Sequence, residues 1–183
     1  IEEALLRKWP EMKLGALDGR SSREAAADEA SRKRVAGAVL VLQSLVQRKQ
    51  GPVFDFNRLR SELGLPTAEP IDPANLDMGK LPLIRLERVE VEKAGDEQLR
   101  TGFQRAIAFA AAAAMPKFAR EVARRESFRG SEEQLRACQL LARLARDPDE
   151  ALGYIAQGRE AAQTANRSCA PLDLLELSIQ FVR

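Results

Sequence analysis

Histidine is absent from the 183-residue chain. Its absence removes the side chain that titrates near neutral pH. The Ser-His-Asp and Cys-His nucleophile sets, imidazole bases and histidine metal ligands go with it. Cysteine is scarce: Cys138 and Cys169 stand alone, with no CxxC pair. Neither a thiolate zinc centre nor a thioredoxin-type redox pair fits. Two reduced, mostly buried thiols in a cytoplasmic protein are expected, since a chain of this length does not depend on a disulfide. Aromatic residues are 5% of the total, with Trp9 and Tyr154 single of their kind. Both are expected in a core or a lobe contact. No GxGxxG and no GxxxxGK[ST] occurs, so no nucleotide loop and no cofactor is indicated. The longest apolar run, 106–115, is about half of what a bilayer crossing needs. The chain opens on Ile1 with no charged-then-apolar leader. It reads as a piece of a larger protein with no membrane partner.

Charge of one sign is also missing. Lys+Arg is 29 and Asp+Glu is 27, a net charge of +2, which gives no prior for nucleic acid or for disorder. What the chain has in quantity is alanine and leucine: 29 Ala and 24 Leu against 9 Val, 6 Ile and 3 Thr. Straight and small side chains lose little on entering a helix, whereas β-branched ones favour strands. An all-α protein is predicted.

The helices are legible from their ends. Residues 2–9 suit a short helix that Pro10 ends. Leu14 to Gly19 is a turn. Ser21 with Glu24 forms a capping box opening one long helical stretch, with Val35, Ala38, Val39, Leu42, Leu45 and Val46 on its apolar face. Gly51-Pro52 closes it. Asp55 caps a helix with Phe56, Leu59 and Leu63 on one face and Gly64 as its stop. Pro66, Pro70, Pro73, Gly79 and Pro82 mark a linker over 65–82, between an N-terminal helical lobe (1–64) and a C-terminal helix-hairpin region (83–183). Asp72-Pro73 is suited to a single helical turn there. Residues 83–93 fit a bulged strand or a helix; helix is preferred because no partner strand is in view. Beyond Asp96 the signals strengthen. Leu99, Phe103, Ala106, Ile107 and Ala110 line one face, and Ser131 with Gln134 makes a second capping box. Asp147-Pro148-Asp149-Glu150 starts another helix, and Ala170-Pro171-Leu172-Asp173 repeats the idea. The alanines of 106–114 are expected to pack helices closely in the core.

Shifting the chain by 32 places Phe103, Ala106 and Ala110 on Leu135, Cys138 and Ala142. The same shift puts Pro116 on Pro148, Ala119 on Ala151 and Ala123 on Ile155. A looser shift of 37 carries Leu135, Cys138 and Ala142 onto Leu172, Leu175 and Ile179. Units of about 32–37 residues, each a helix, a short turn and a second helix, point to a helical repeat. With Ala151 at a small-residue site, the stretch from Asp147 to Ala161 resembles the second helix of the tetratricopeptide (TPR) repeat. The resemblance covers residues 95–183. It departs from the family at Cys138 and Gln139, where glycine is usual, and in lacking a proline that closes the second helix. It implies TPR-like antiparallel hairpins stacked into a curved array, with a groove for a protein or peptide. Separately, Leu14 to Ala25 resembles a segment of bacterial helical proteins of unassigned function; it lacks that segment's proline near Ser22 and implies no activity.

Two candidate surfaces follow. The final helix would keep Leu172, Leu175, Ile179 and either Phe181 or Val182 partly bare, as a cap or a self-association contact. Lys117, Arg120, Arg124, Arg125 and Arg129 have only Glu121 and Glu126 among them. They make either a solvated helix face or a patch for phosphate or an acidic partner. No catalytic set is indicated. Glu87, Glu90 and Glu92 are interleaved with arginines, and Asp147, Asp149 and Glu150 are explained by capping. The expectation is a non-catalytic protein interaction or scaffold module. Nucleic-acid binding through 117–129 is the alternative, and a pocket with paired carboxylates the third.

Overall fold

The computed structural model describes residues 3–48 and 54–182. The protein is all-α: its only β pairings there are two isolated bridges. It divides into two compact units, Ile1–Glu69 and Pro70–Arg183.

The first unit starts with a π-type turn over Ala4–Lys8 and a 3-10 turn over Trp9–Glu11. Pro10 sits inside the second turn rather than ending a helix, because a residue early in a helical turn needs no N–H partner. The capping box forms as expected: Ser21 Oγ accepts from the Glu24 N–H, and Glu24 Oε2 accepts from the Ser21 N–H at 2.8 Å. The helix it opens, α1 (Ser22–Ala26), is only one turn long. The long stretch breaks at Asp28, whose carboxylate accepts from the Ala30 N–H and from the Ser31 hydroxyl at 2.6 Å. A short polar side chain that bonds its own backbone competes with the helix ladder. A 3-10 turn then leads into α2 (Arg32–Arg48).

The expected face of α2 packs inward except at Leu45, with Ala38, Leu42 and Val46 against the core. Val35 and Val39 are buried, and so is Gln43, while Leu45 is 53% exposed. Gln43 Oε1 accepts from Nη2 of the buried Arg60 at 3.1 Å, so a polar pair fills a position that hydropathy assigns to an apolar residue. Gly51-Pro52 lies outside the described residues. Helix α3 (Phe56–Glu62) has the expected cap, Asp55, and buries Phe56 and Leu59, with Leu63 just beyond. Gly64, at φ +62°, closes it with the two bonds of a Schellman turn, Gly64 N–H to Ser61 O and Leu65 N–H to Arg60 O. Trp9 and Leu17 share this core with Leu59 and Leu65.

The expected linker 65–82 is packed at both ends. Leu65 is in the first unit's core, and the Asn57 side chain bonds both the N–H and the carbonyl of Ala68. Met78 and Leu81 are in the second unit's core. Asp72-Pro73 makes a turn, not a helix. The ambiguous segment is mostly helical turns, α4 (Leu83–Leu86) and a 3-10 turn over Val91–Lys93, with one bridge residue between them. Val89 finds its partner at Ile71, with Ile71 N–H donating to Arg88 O and Glu90 N–H to Ile71 O.

The rest of the second unit is α5 (Asp96–Ala108), α6 (Ala114–Arg124), α7 (Glu132–Leu144), α8 (Pro148–Thr164) and α9 (Ala170–Val182). Each packs on the next in chain order, and α9 also touches α7. Leu99, Phe103, Ala106, Phe118, Val122 and Cys138 share one core cluster; Leu135, Ile155, Ala162 and Leu172 share another. Backbones approach closely at Gly102, against the Phe118 ring, and at Gly158, against Cys138 and Leu172. Burial of Cys138 pushes its thiol up to about 12. At the start of α7, Ser131 caps Gln134 as expected, but Gln134 Oε1 takes the Gly130 N–H instead of completing the box.

The alanine run does not form a packed helix. After Ala108 the chain turns: Ala110 has φ +49°, its N–H bonds Ile107 O, and the Ala111 N–H bonds Ala106 O. Ile107 and Ala110 are therefore not on the buried face with Leu99, Phe103 and Ala106. Ile107 is 39% and Phe109 62% exposed. No helix among the described residues is long and apolar enough to cross a membrane.

Candidate interaction surfaces

The five basic residues of 117–129 separate into two roles. Lys117, Glu121 and Arg125 recur every four residues along α6 and so share one side. That side faces the strap 70–94, in which α4 is the one α-helical turn. Lys117 Nζ donates to Glu87 O at 3.3 Å. Arg125 donates to the carbonyls of Val91, Glu92 and Ala94 and to Asp96 Oδ1 at 2.9 Å. It also donates to Glu121 Oε1 through Nε at 3.1 Å and Nη2 at 2.8 Å. From α5, Gln98 Nε2 donates to Pro73 O and Leu76 O, and Arg105 donates to Met78 O and Leu81 O. Two of the five predicted contact cations are thus clamps that satisfy strap carbonyls.

Glu121 is the hub of this cluster, with its side chain only 5% exposed. Burial pushes its pKa up, but hydrogen bonds and charge from Arg124 and Arg125 outweigh that and hold it below the usual carboxylate range. A hydrogen bond from Arg125, then one from Ser127, hold Asp96 low as well. Arg120, Arg124 and Arg129 remain exposed; Arg124 is paired with Glu121, and Arg129 with Glu126 at 3.2 Å. Arg124, Arg125 and Arg129 also border an open cleft of about 310 Å³ between the end of α6, the start of α7 and α8. Glu126, Gln134, Gln157 and Glu160 complete its polar wall. Gln134 and Gln157 both donate to Ala123 O, so their amides are spent within the fold.

The final helix turns a different face outward from the one expected. Leu172 is fully buried, and Leu175 and Ile179 pack against Leu135, Ile155 and Ala162. Arg159 of α8 clamps α9 through Asp173 at 2.6 Å and Glu176 at 2.5 Å. The bare stripe is Leu174, Leu177 and Phe181, at 67%, 50% and 86% exposure. Of the expected four, only Phe181 lies on it; the side chain of Val182 is outside the described part. Helical spacing identifies two apolar faces on α9 and cannot say which one the neighbours take. Trp9 is in the core and Tyr154 partly buried, as expected for single aromatics.

Among the described residues no group of three or more Cys, Asp or Glu side chains is placed to hold a metal ion. Glu90 is paired with Lys93 at 2.9 Å, and Asp147 caps α8. Comparison with protein-family models, curated proteins and solved structures finds no match for this chain.

Proposed function

We propose that this chain is a non-catalytic protein-interaction module of the cytoplasm, with TPR-like hairpins in its second unit. One observation carries the reading. Helix α9 is apolar on two sides, and while Leu172, Leu175 and Ile179 are packed, Leu174, Leu177 and Phe181 face solvent. Its two acids, Asp173 and Glu176, share the single guanidinium of Arg159, which ties them to α8 and leaves a net charge of −1 beside the outward stripe. Aromatic and leucine side chains in such a stripe are the usual anchors of helix-on-helix recognition. The partner is a protein segment with an apolar helix, a second copy of this chain included.

The test is an affinity pull-down from native lysate, with and without nuclease, alongside light scattering of the pure protein. A stoichiometric protein that survives nuclease and is lost in Phe181→Asp with unchanged circular dichroism supports the module. Equal recovery by the variant, or a monomer with no partner, ends it. Nucleic-acid binding is the second reading, resting on the outward Arg120, Arg124 and Arg129. Phosphate binding falls steeply with salt. No binding to an oligonucleotide at low salt would remove it.

A further inference from the structure

The turn between α5 and α6 carries an apolar tip with basic residues on the helices that lead into and out of it. Gly102 and Phe118 meet across it, eight residues on either side of Ala110, so 108–113 is the closed end of a helical hairpin. From Ala106 to Met115 every side chain is apolar, and Phe109 is 62% exposed. The backbone at this end bonds to itself. The N–H groups of Phe109, Ala110, Ala111, Ala114 and Met115 all donate to carbonyls between Arg105 and Ala111. The N–H groups of Ala112 and Ala113 and the carbonyls of Ala108, Phe109 and Ala110 make no such bond among the described residues, which suits a turn at the wet headgroup level and not one deep in hydrocarbon.

The chain on either side of it carries charge of one sign. Between Gln104 and Arg120 the sequence holds Arg105, Lys117 and Arg120 and no carboxylate. Arg105 and Lys117 donate to carbonyls and Arg120 is exposed; none of the three makes an ion pair among the described residues, and the neighbouring Glu121 is engaged by Arg124 and Arg125.

We propose that this turn is an interfacial anchor that seats Phe109 and Ile107 in the surface of an anionic lipid bilayer, with Arg105, Lys117 and Arg120 at headgroup level. An apolar tip with no side-chain donor or acceptor suits a pliable apolar medium, and its basic collar suits acidic headgroups. The segment lies on the membrane and does not cross it, being too short for that. Phosphate-rich nucleic acid would reward the collar but not the tip.

The test is co-sedimentation of the full chain with phosphatidylcholine vesicles, with and without one-third phosphatidylserine. Binding is expected to the anionic vesicles only, and to weaken with salt. Phe109→Asp is expected to lower it about tenfold or more, the scale of one buried aromatic side chain. Arg120→Gln is expected to lower it about fivefold. Both positions are exposed, and unchanged circular dichroism checks that each variant folds. No binding to anionic vesicles at low salt overturns the proposal. Binding that Phe109→Asp leaves intact, or that an oligonucleotide abolishes while Phe109→Asp does not, also overturns it, because the collar alone would then be acting.

Discussion

Gly102 and Gly153 lie in helices of the same unit and face opposite constraints. A Cβ at Gly102 would enter the Phe118 ring, 2.8 Å from Cζ. Phe118 is fully buried and has nowhere to move. Gly153, within α8, is exposed, and a Cβ there meets nothing within 4 Å. Gly102→Ala is therefore expected to destabilise by about 1–3 kcal/mol through overpacking. Gly153→Ala is expected to stabilise by about 0.5–1 kcal/mol, as glycine in a helix interior costs chain entropy. Thermal melts of the two variants check the opposed signs; two shifts of the same sign would contradict the packing described. Side chains that act on their own backbone were readable at this scale. Ser21, Asp55 and Asp147 cap their helices because the donor they serve is two or three residues away. Gln43 was not readable, since its burial is decided by Arg60, seventeen positions off.

At the scale of elements, helix propensity loses to packing in one place and cation chemistry serves structure in another. Alanine is the best helix former, yet the run 106–114 contains a turn, with Ala110 in a left-handed conformation that costs an L-residue roughly 1–2 kcal/mol. Phe118 must return against Gly102, and the core formed by α5 and α6 outweighs that strain. Gly64 and Asn166, at equivalent left-handed positions after α3 and α8, are the residue types that announce such a turn; Ala110 announces nothing. The arginine-rich stretch was legible as a cluster, but its function was not. Strap carbonyls 30 to 34 residues away claim Lys117 and Arg125, and sequence spacing holds no record of them. The Glu121–Arg125–Asp96 cluster gives the strap a pH dependence. Both carboxylates are held below their ordinary range, so in the folded state they bind protons less readily than in the unfolded chain. Their contribution is present above the unfolded carboxylate pKa and is lost as pH falls through the lowered folded values. Glu121→Gln is expected to cost about 2 kcal/mol at pH 7. That is below the roughly 3–5 kcal/mol of breaking a fully buried pair, because Arg125 keeps Asp96 and three carbonyls. Denaturant melts should show the gap between wild type and variant narrowing as pH drops below about 4, where the carboxylates begin to protonate. A gap that stays constant to lower pH would mean that Glu121 acts by shape rather than charge.

Across the whole molecule, the core of the first unit shares no residue with the two core clusters of the second. Trp9, Leu17, Val35, Leu59 and Leu65 belong to the first, and every member of the other two clusters lies after Pro70. Proline spacing located the boundary region but overstated its looseness. Leu65 belongs to the first unit through the Schellman turn at Gly64, and Ile71 to the second through its bridge to Val89. A unit of some 69 residues buries a smaller fraction of its surface than one of 114, and its stability is correspondingly slimmer. The first unit also interrupts its helices at Asp28 and has an exposed apolar edge at Val41 and Leu45. It is expected to unfold first. The sequence supplies a probe for this: Trp9, the single tryptophan, is buried in the first unit, whereas far-ultraviolet circular dichroism is dominated by α5 to α9 of the second. On heating, tryptophan fluorescence should change at a lower temperature than circular dichroism. A polypeptide of residues 70–183 should keep the higher transition within a few degrees, since one compact unit loses no core member by the cut. Probes that coincide in the full chain mark a single cooperative unit. Coincident transitions, together with a 70–183 fragment that fails to fold, would show that the cores depend on each other despite sharing no residue. The cooperative folding unit would then be the entire chain rather than its second half.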